Sequence, residues 1–279
     1  MDFYKLHLNG HDFILVNAFR QPLPEEDFLP ALVQQMCGRR KGIGGRGALF
    51  LFPGEEHQGH VRYFDALGDE KDIPADALIC AARYAFDFGL ADRGTTVLEN
   101  GDNELTVQCL DGVHFRHCLD VPTTVEGESI EAIDEVDLSV RIRIGTRALS
   151  CTPLRFRFPH VAIYTTPQQL TGTTLIEGIG RELENMKNFR AVGYQVYTRD
   201  EMTIFFQSKD SGDAVEGAAA AATAAVLGGF CERDIVLHYR GGKFLYEWET
   251  HSNSVYITGN PSYVFTGVYE LDEDSLGEE

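Results

Sequence analysis

The chain has 279 residues, of which 43% are hydrophobic, so it is long enough for one large domain or two ordinary ones with a real core. Its formal net charge of −19 argues against binding to nucleic acid or to an anionic membrane, because both need basic patches. It has no apolar run as long as a membrane span, and its start lacks the basic and apolar regions of a signal peptide, so we expect a cytoplasmic protein.

The first half of the sequence mixes short strands with two helices. Residues 3–19 form a β-prone stretch, and a helix at residues 25–37 runs into a Gly-rich turn. A second helix is predicted at residues 76–88, with Asp76 as its N-cap. It is apolar on most sides, so we expect it to be enclosed. Further strands are expected at residues 48–52, 61–64, 95–99, 104–110 and 113–119.

The second half repeats this pattern after an acidic linker at residues 122–136. A helix is predicted at residues 167–188, and another at residues 217–227, which is nearly all alanine and stops at a Gly-Gly pair. Strands are predicted at residues 138–144, 160–165, 191–198, 202–207, 234–239, 243–250 and 254–258.

These elements predict an α+β fold with two pseudo-symmetric lobes, each a mixed β-sheet or barrel wrapped around a central apolar helix. We place the N-terminal lobe at residues 1–123 and the C-terminal lobe at residues 124–261. The last strand, at about residues 262–270, is expected to join the first lobe, and residues 271–279 form an acidic tail.

Several short segments resemble, in order and spacing, the motifs of diaminopimelate epimerases. They are KLHLNGHDF at residues 5–13 for KMHGLGNDF, MCGRRKGIG at 36–44 for CDRRxGIGADG, DALGDE at 65–70 for NADGSE, CAARY at 80–84 for the end of MCGNGxRCAARY, PH at 159–160 for the end of GNPH, and TGNPSYVF at 258–265 for TGPAEFVFEG. The resemblance implies the family's fold and a racemisation at Cα without a cofactor. In that reaction, two cysteines at helix N-termini exchange protons on opposite faces of the substrate.

The sequence departs from the family at its chemical positions. Aligned without gaps, the two catalytic cysteines are replaced by Pro74 and Glu216, and the Glu-Arg pair that grips the substrate becomes Gln207-Ser208. Three family asparagines become His11, Asp65 and Phe158. A doubly zwitterionic diamino diacid needs cationic and amide partners, so we do not expect diaminopimelate epimerase activity.

A single carboxylate can still transfer a proton. DAVEGA at residues 213–218 is similar to the DPVTGSA segment of phenazine-biosynthesis isomerases, which share the superfamily fold and use a carboxylate base. This resemblance implies that Glu216 is the catalytic acid/base. The resemblance to diaminopimelate epimerases implies that His160, which lies beside the pocket in that family, assists it, and that the substrate-binding positions are His11, Asp65, Asp76, Gly217 and Ala218.

Another interpretation of the same residues is structural. A carboxylate at a helix N-terminus is stabilised as the anion and is therefore a weaker base, so Glu216 and Asp76 could simply cap their helices. His160 could close a hydrogen bond at a strand. Two functions follow: an isomerase or tautomerase of a small carboxylic acid, or a catalytically inactive homologue that binds a ligand or a protein. The first predicts a Glu216 carboxylate open to a cleft, and the second predicts a collapsed or self-capped cleft.

No cofactor or metal is expected. The pairs His57-x-x-His60 and His114-x-x-His117 lie in loop or strand segments, so we interpret them as solvated. The six cysteines form no CxxC pair and are expected to be reduced, with Cys37 at the end of the first helix in a structural role. The expected partner is a small molecule bearing a carboxylate. The sequence does not decide whether the chain forms the homodimer often found in the family.

Overall fold

The computed structural model describes residues 1–54, 59–91, 94–131, 138–144, 147–165, 189–206, 214–239 and 242–270. The predicted helix at residues 167–188, the pair Gln207-Ser208, His57 and the tail at residues 271–279 lie outside the described residues. Within the described part of the chain, no helix is long and apolar enough to cross a membrane.

The chain divides into two compact units. The first comprises Met1–Arg116 with the described residues from Gly259 onward, and the second comprises His117–Thr258. The stretch predicted as a linker is attached to the second unit, because Thr123 forms β-bridges with Ser129 and Arg155. The division therefore falls ahead of this stretch, where the sequence has no Pro- or Gly-rich break.

The first unit consists mainly of short strands. They are β1 (Asp2–Leu8), β2 (His11–Asn17), β3 (Gly47–Phe52), β4 (Gly59–Asp65), β5 (Glu70–Lys71), β6 (Thr95–Asn100) and β7 (Asn103–Cys109). The predicted stretch at residues 3–19 is a hairpin, because Asn9 and Gly10 take φ values of 49° and 89° and so form a tight turn. The β1–β2, β3–β4 and β6–β7 pairs are antiparallel, whereas β2–β3 and β4–β6 are parallel.

Two α-helices complete the first unit. The expected helix at residues 25–37 is a 3-10 turn (Glu26–Phe28) followed by α1 (Leu29–Cys37), since Pro30 has no N–H and fits only the first turn of a helix. The second helix, α2, spans Ala75–Asp87. The prediction that Asp76 is its N-cap is wrong: Pro74 is the N-cap, in an extended conformation, and Asp76 is the second residue of the helix.

The second unit repeats the pairing order of the first. After β8 (Phe115–Cys118), the strands are β9 (Val140–Ile144), β10 (Arg147–Arg155), β11 (Pro159–Tyr164), β12 (Arg190–Thr198), β13 (Glu201–Phe206), β14 (Asp234–Tyr239), β15 (Gly242–Trp248) and β16 (Val255–Gly259). The β10–β11, β12–β13 and β14–β15 pairs are antiparallel, whereas β11–β12 and β13–β14 are parallel. The last strand, β17 (Ser262–Val268), pairs with β1 in the first unit.

β10 is a strand that the sequence analysis missed. Its segment, RALSCTPLR, contains Pro153, which cannot donate to a ladder and is unfavourable inside a strand. Pairing with β9 on one side and β11 on the other nevertheless holds it in an extended conformation.

Each unit buries an apolar helix against its strands. Every residue from Ala75 to Ala82 of α2 is buried, and so is every residue from Ala214 to Ala225 of α3 (Ala214–Leu227). α3 packs against the strands from β10 to β15. Its alanines let these strands approach the helix closely, and such packing leaves no room for larger side chains.

Replacing one of these alanines tests how tightly α3 is packed. We expect Ala220→Leu to lower the free energy of unfolding by about 1–3 kcal/mol, because Ala220 is fully buried and extra methyl groups strain a packed core. Urea unfolding measures the change. Val226→Leu, at a half-buried position near the end of the same helix, is the control and should have little effect. Equal stability of the two variants would contradict this description of the packing.

Candidate functional site

The candidate base, Glu216, lies in the first turn of α3 and is 3% exposed. Its Oε2 accepts a hydrogen bond from the Phe158 N–H at 3.3 Å, and its Oε1 lies 3.4 Å from Nε of Arg157. The expectation of an open Glu216 carboxylate is therefore wrong for this structure. These two partners lie on the connection between β10 and β11, so Glu216 does more than cap its own helix.

His160 lies at the start of β11 and is 1% exposed. Its Nδ1 is 2.8 Å from the Phe158 carbonyl oxygen, so Nδ1 must carry the proton and donate it. Nε2 is then the nitrogen with the lone pair, and it has no hydrogen-bond partner among the described residues. Burial lowers the pKa of His160 to about 4, with a smaller contribution from Arg190, so the imidazole is neutral at physiological pH.

Two guanidinium groups lie over the ring of Phe158. The Cζ atom of Arg157 is 4.8 Å from the ring centroid, and that of Arg190 is 3.8 Å from it. Arg190 is also the residue of β12 that pairs with His160. Four polar side chains thus contact Phe158. Two are cations, and the other two can accept or donate a proton. The sequence analysis missed both arginines, since neither belongs to a recognisable motif.

The predicted anion-binding positions Gly217 and Ala218 are parts of the packed helix. A Cβ atom on Gly217 would lie 2.3 Å from Cε1 of Phe206, so only glycine lets this ring approach. Ala218 is fully buried, and its N–H points to the carbonyl of Ala214 in the helix ladder.

The start of α2 in the first unit carries a buried charged cluster. Asp76 is 1% exposed, and its Oδ2 lies 2.7 Å from Nδ1 of His11 and 3.7 Å from Nη1 of Arg46. Arg46 also contacts Nδ1 of His11. The other oxygen, Oδ1, accepts the N–H of Ala77 at 2.9 Å. The carboxylate of Asp76 therefore takes the place that an external anion would take at this helix start. Arg46 was not predicted.

Asp65, another predicted substrate-binding residue, closes a turn. It ends β4, and its Oδ1 accepts the N–H groups of Leu67 at 2.9 Å and Asp69 at 3.1 Å. The turn needs glycine at position 68, where φ is 81° and a Cβ atom would lie 2.4 Å from the Pro30 carbonyl oxygen. Asp65 therefore has a local structural role.

No thiol stands at the start of α2 or α3. Cys37 is the last residue of α1, as predicted, and burial raises its pKa to about 12, so it remains a thiol. Cys80 lies in the middle of α2, where burial also raises its pKa.

Comparison with known proteins finds relatives along the whole chain. No family model matches the chain. The diaminopimelate epimerase of Desulfitobacterium hafniense is 27% identical over 295 residues, covering 99% of this chain and 100% of the relative. That of Geobacillus kaustophilus is 28% identical over 286 residues and covers 96% of each.

Among solved structures, the phenazine biosynthesis protein of Bacillus anthracis matches with a TM-score of 0.68 at 12% identity, covering 97% of this chain and 99% of that one. A probable proline racemase from Agrobacterium radiobacter K84 matches with a TM-score of 0.66 at 12% identity, covering 99% and 95%. Methylitaconate-delta-isomerase matches with a TM-score of 0.65 at 9% identity, covering 100% and 98%.

The fold is therefore the mixed-sheet α+β fold of these isomerase and racemase structures. The chain itself is a divergent relative of the diaminopimelate epimerases, and the resemblance predicted from its motifs is confirmed.

The ion pair at the start of α2 should contribute strongly to stability. We expect Asp76→Asn to lower the free energy of unfolding by about 3 kcal/mol, because it leaves the buried cationic side of the cluster uncompensated. Asp111→Asn is the control: Asp111 and His114 have the same 2.7 Å separation but are exposed, and the amide keeps the turn. Denaturant unfolding of both variants measures the difference, and a comparable loss in each would contradict the role of burial.

His160 should make the stability of the protein depend on pH. Its pKa falls from an ordinary value of 6.5 to about 4 on folding, so between these values only the unfolded chain binds the proton. Stability should therefore fall by about 3 kcal/mol as the pH drops from about 6.5 to about 4, with no such loss above that window. His160→Asn keeps a donor for the Phe158 carbonyl but cannot titrate. Unfolding measured across the pH range should show a shallower decline for this variant, and parallel curves would refute the assignment.

Proposed function

We propose that this protein is a cofactor-independent isomerase or tautomerase of a small carboxylic acid, with Glu216 as the acid/base and His160 as its assistant. One observation carries the proposal: both groups are fixed on the same residue. Glu216 is held by the N–H of Phe158 and His160 by its carbonyl oxygen. A base and a neutral imidazole oriented by one backbone unit are suited to moving a proton between two atoms of a bound substrate.

The two arginines support a carboxylate substrate. Removal of a proton next to a carboxylate builds negative charge on its oxygens, and a guanidinium group stabilises that charge. Arg157, whose side chain is 38% exposed, pairs with Glu216 in the free protein. If Arg157 turns to a substrate carboxylate, the Glu216 carboxylate is released to accept a proton and later return it at a second position.

The first unit has a different role in this proposal. The predicted binding residues His11 and Asp76 already satisfy each other with Arg46, so they hold α2 and do not grip the substrate. The equal pairing order of the two units supports pseudo-symmetric lobes, each around one apolar helix. Both helix starts carry a carboxylate, and the proposal assigns the chemistry to the second because the cation beside Glu216 is partly exposed. The structural relatives include methylitaconate-delta-isomerase and a probable proline racemase, which fits this reaction class.

A catalytically inactive homologue that binds a ligand is the alternative. The closed cluster at Asp76 and the burial of Glu216 favour it, since both carboxylates are already paired. The two proposals differ in whether Glu216 exchanges a proton with carbon.

Proton exchange in D₂O separates them. The protein is incubated with amino acids, diaminopimelate and small enolisable acids, and the loss of carbon-bound protons is followed by NMR. We expect exchange by the wild type and a loss of at least about 100-fold in Glu216→Gln, since general acid–base catalysis contributes factors of this size. Glu232→Gln, which alters an exposed carboxylate paired with Arg199, is the control and should exchange normally. Exchange that is absent in the wild type, or that survives in Glu216→Gln, would contradict the proposal.

A further inference from the structure

The Nε2 atom of His160 is a buried acceptor without a partner. The Phe158 carbonyl fixes the proton on Nδ1, so Nε2 offers only a lone pair. A buried polar atom that lacks a hydrogen bond destabilises the fold. The other polar groups of this cluster are paired, so among the described residues Nε2 is the acceptor that a bound ligand could satisfy.

The charges around His160 determine what kind of donor can bind. Arg190 pairs with His160 across β11 and β12, and its positive charge disfavours a second positive charge on the imidazole. Arg157 lies over the same Phe158 ring. The carboxylate of Glu216 is shared between Arg157 and the Phe158 N–H, which reduces its attraction for another cation. An ammonium group beside Nε2 would be repelled by the Arg190 guanidinium, whereas a neutral hydroxyl group would meet no such repulsion.

We propose that the ligand of this site is a small hydroxy or enolic carboxylic acid, whose O–H group donates to Nε2 of His160 while its carboxylate binds the Arg157 guanidinium. This inference rests on the proposed function and names its substrate class. Zwitterionic amino acids with the same carbon skeleton bind this site more weakly. Arg157 is the exposed member of the cluster, so it is the group that a ligand carboxylate meets first.

Matched pairs of ligands test this inference. Malate is compared with aspartate, and lactate with alanine, as both enantiomers, and binding is measured by calorimetry alongside the exchange assay. For the wild type, we expect the preferred enantiomer of each hydroxy acid to bind at least about tenfold more tightly than the corresponding amino acid, because it gains one hydrogen bond without charge repulsion.

His160→Asn is the critical variant, because its amide still donates to Phe158 while Nε2 is removed. Its affinity for the hydroxy acid should fall about tenfold, and its affinity for the amino acid should stay the same. His238→Asn is the control, because it alters a half-exposed histidine paired with Glu201 in the same unit. It should leave the affinities for the hydroxy acid and the amino acid unchanged. Equal or reversed preference in the wild type, with exchange that still depends on Glu216, overturns the inference and leaves the proposed function standing. If neither the hydroxy acids nor the amino acids bind or exchange protons, the inference and the proposed function both fail.

A measurement on the wild type covers the case in which His160→Asn does not fold. The ¹⁵N resonance of Nε2 in His160 should have the position of an unprotonated nitrogen in the free protein and should move towards that of a hydrogen-bonded nitrogen on addition of malate. An unchanged resonance at saturating malate overturns the inference.

Discussion

Burial of the two apolar helices is the constraint on which the rest of the structure depends. Strands cover α2 and α3 from their first residues, so a charge at either helix start is removed from water. A buried carboxylate must then be paired or it destabilises the protein strongly. Asp76 and Glu216 meet this requirement in different ways, and that difference separates the two units chemically.

At the start of α2, groups of the first unit pair with the Asp76 carboxylate. His11, Arg46 and the N–H of Ala77 surround Asp76, and the cluster is almost entirely buried. Such an arrangement fixes the helix start, and a ligand carboxylate would have to compete with a group that is already in place. Cys80 lies one helical turn beyond Asp76, and burial raises the pKa of its thiol, so it does not supply a thiolate at this helix start.

At α3 the pairing includes a group that solvent can reach. Arg157 is partly exposed, and the backbone of Phe158 holds Glu216 and His160 without using the lone pair of Nε2. Glu216 itself is buried, so withdrawing Arg157 to a ligand costs more than breaking a fully exposed pair would, and the ligand carboxylate has to supply that energy. In the proposed function, the proton transfer depends on this combination of a paired carboxylate, a neutral imidazole and a partly exposed cation.

The sequence by itself predicted the similarity to diaminopimelate epimerases, most strands and both apolar helices, and it proposed Glu216 and His160 as candidate site residues. These features depend on local patterns: apolar periodicity, glycine and proline positions, and the order of short motifs. It did not determine β10, the N-cap of α2 or the partners of the two carboxylates. Arg46, Arg157 and Arg190 carry no local signal, because their roles come from contacts between elements far apart in sequence, such as Glu216 with Phe158 or Asp76 with His11. Only the tertiary structure decided which charged side chains pair with each other, since burial and pairing are properties of the packed strands and helices and not of any segment alone.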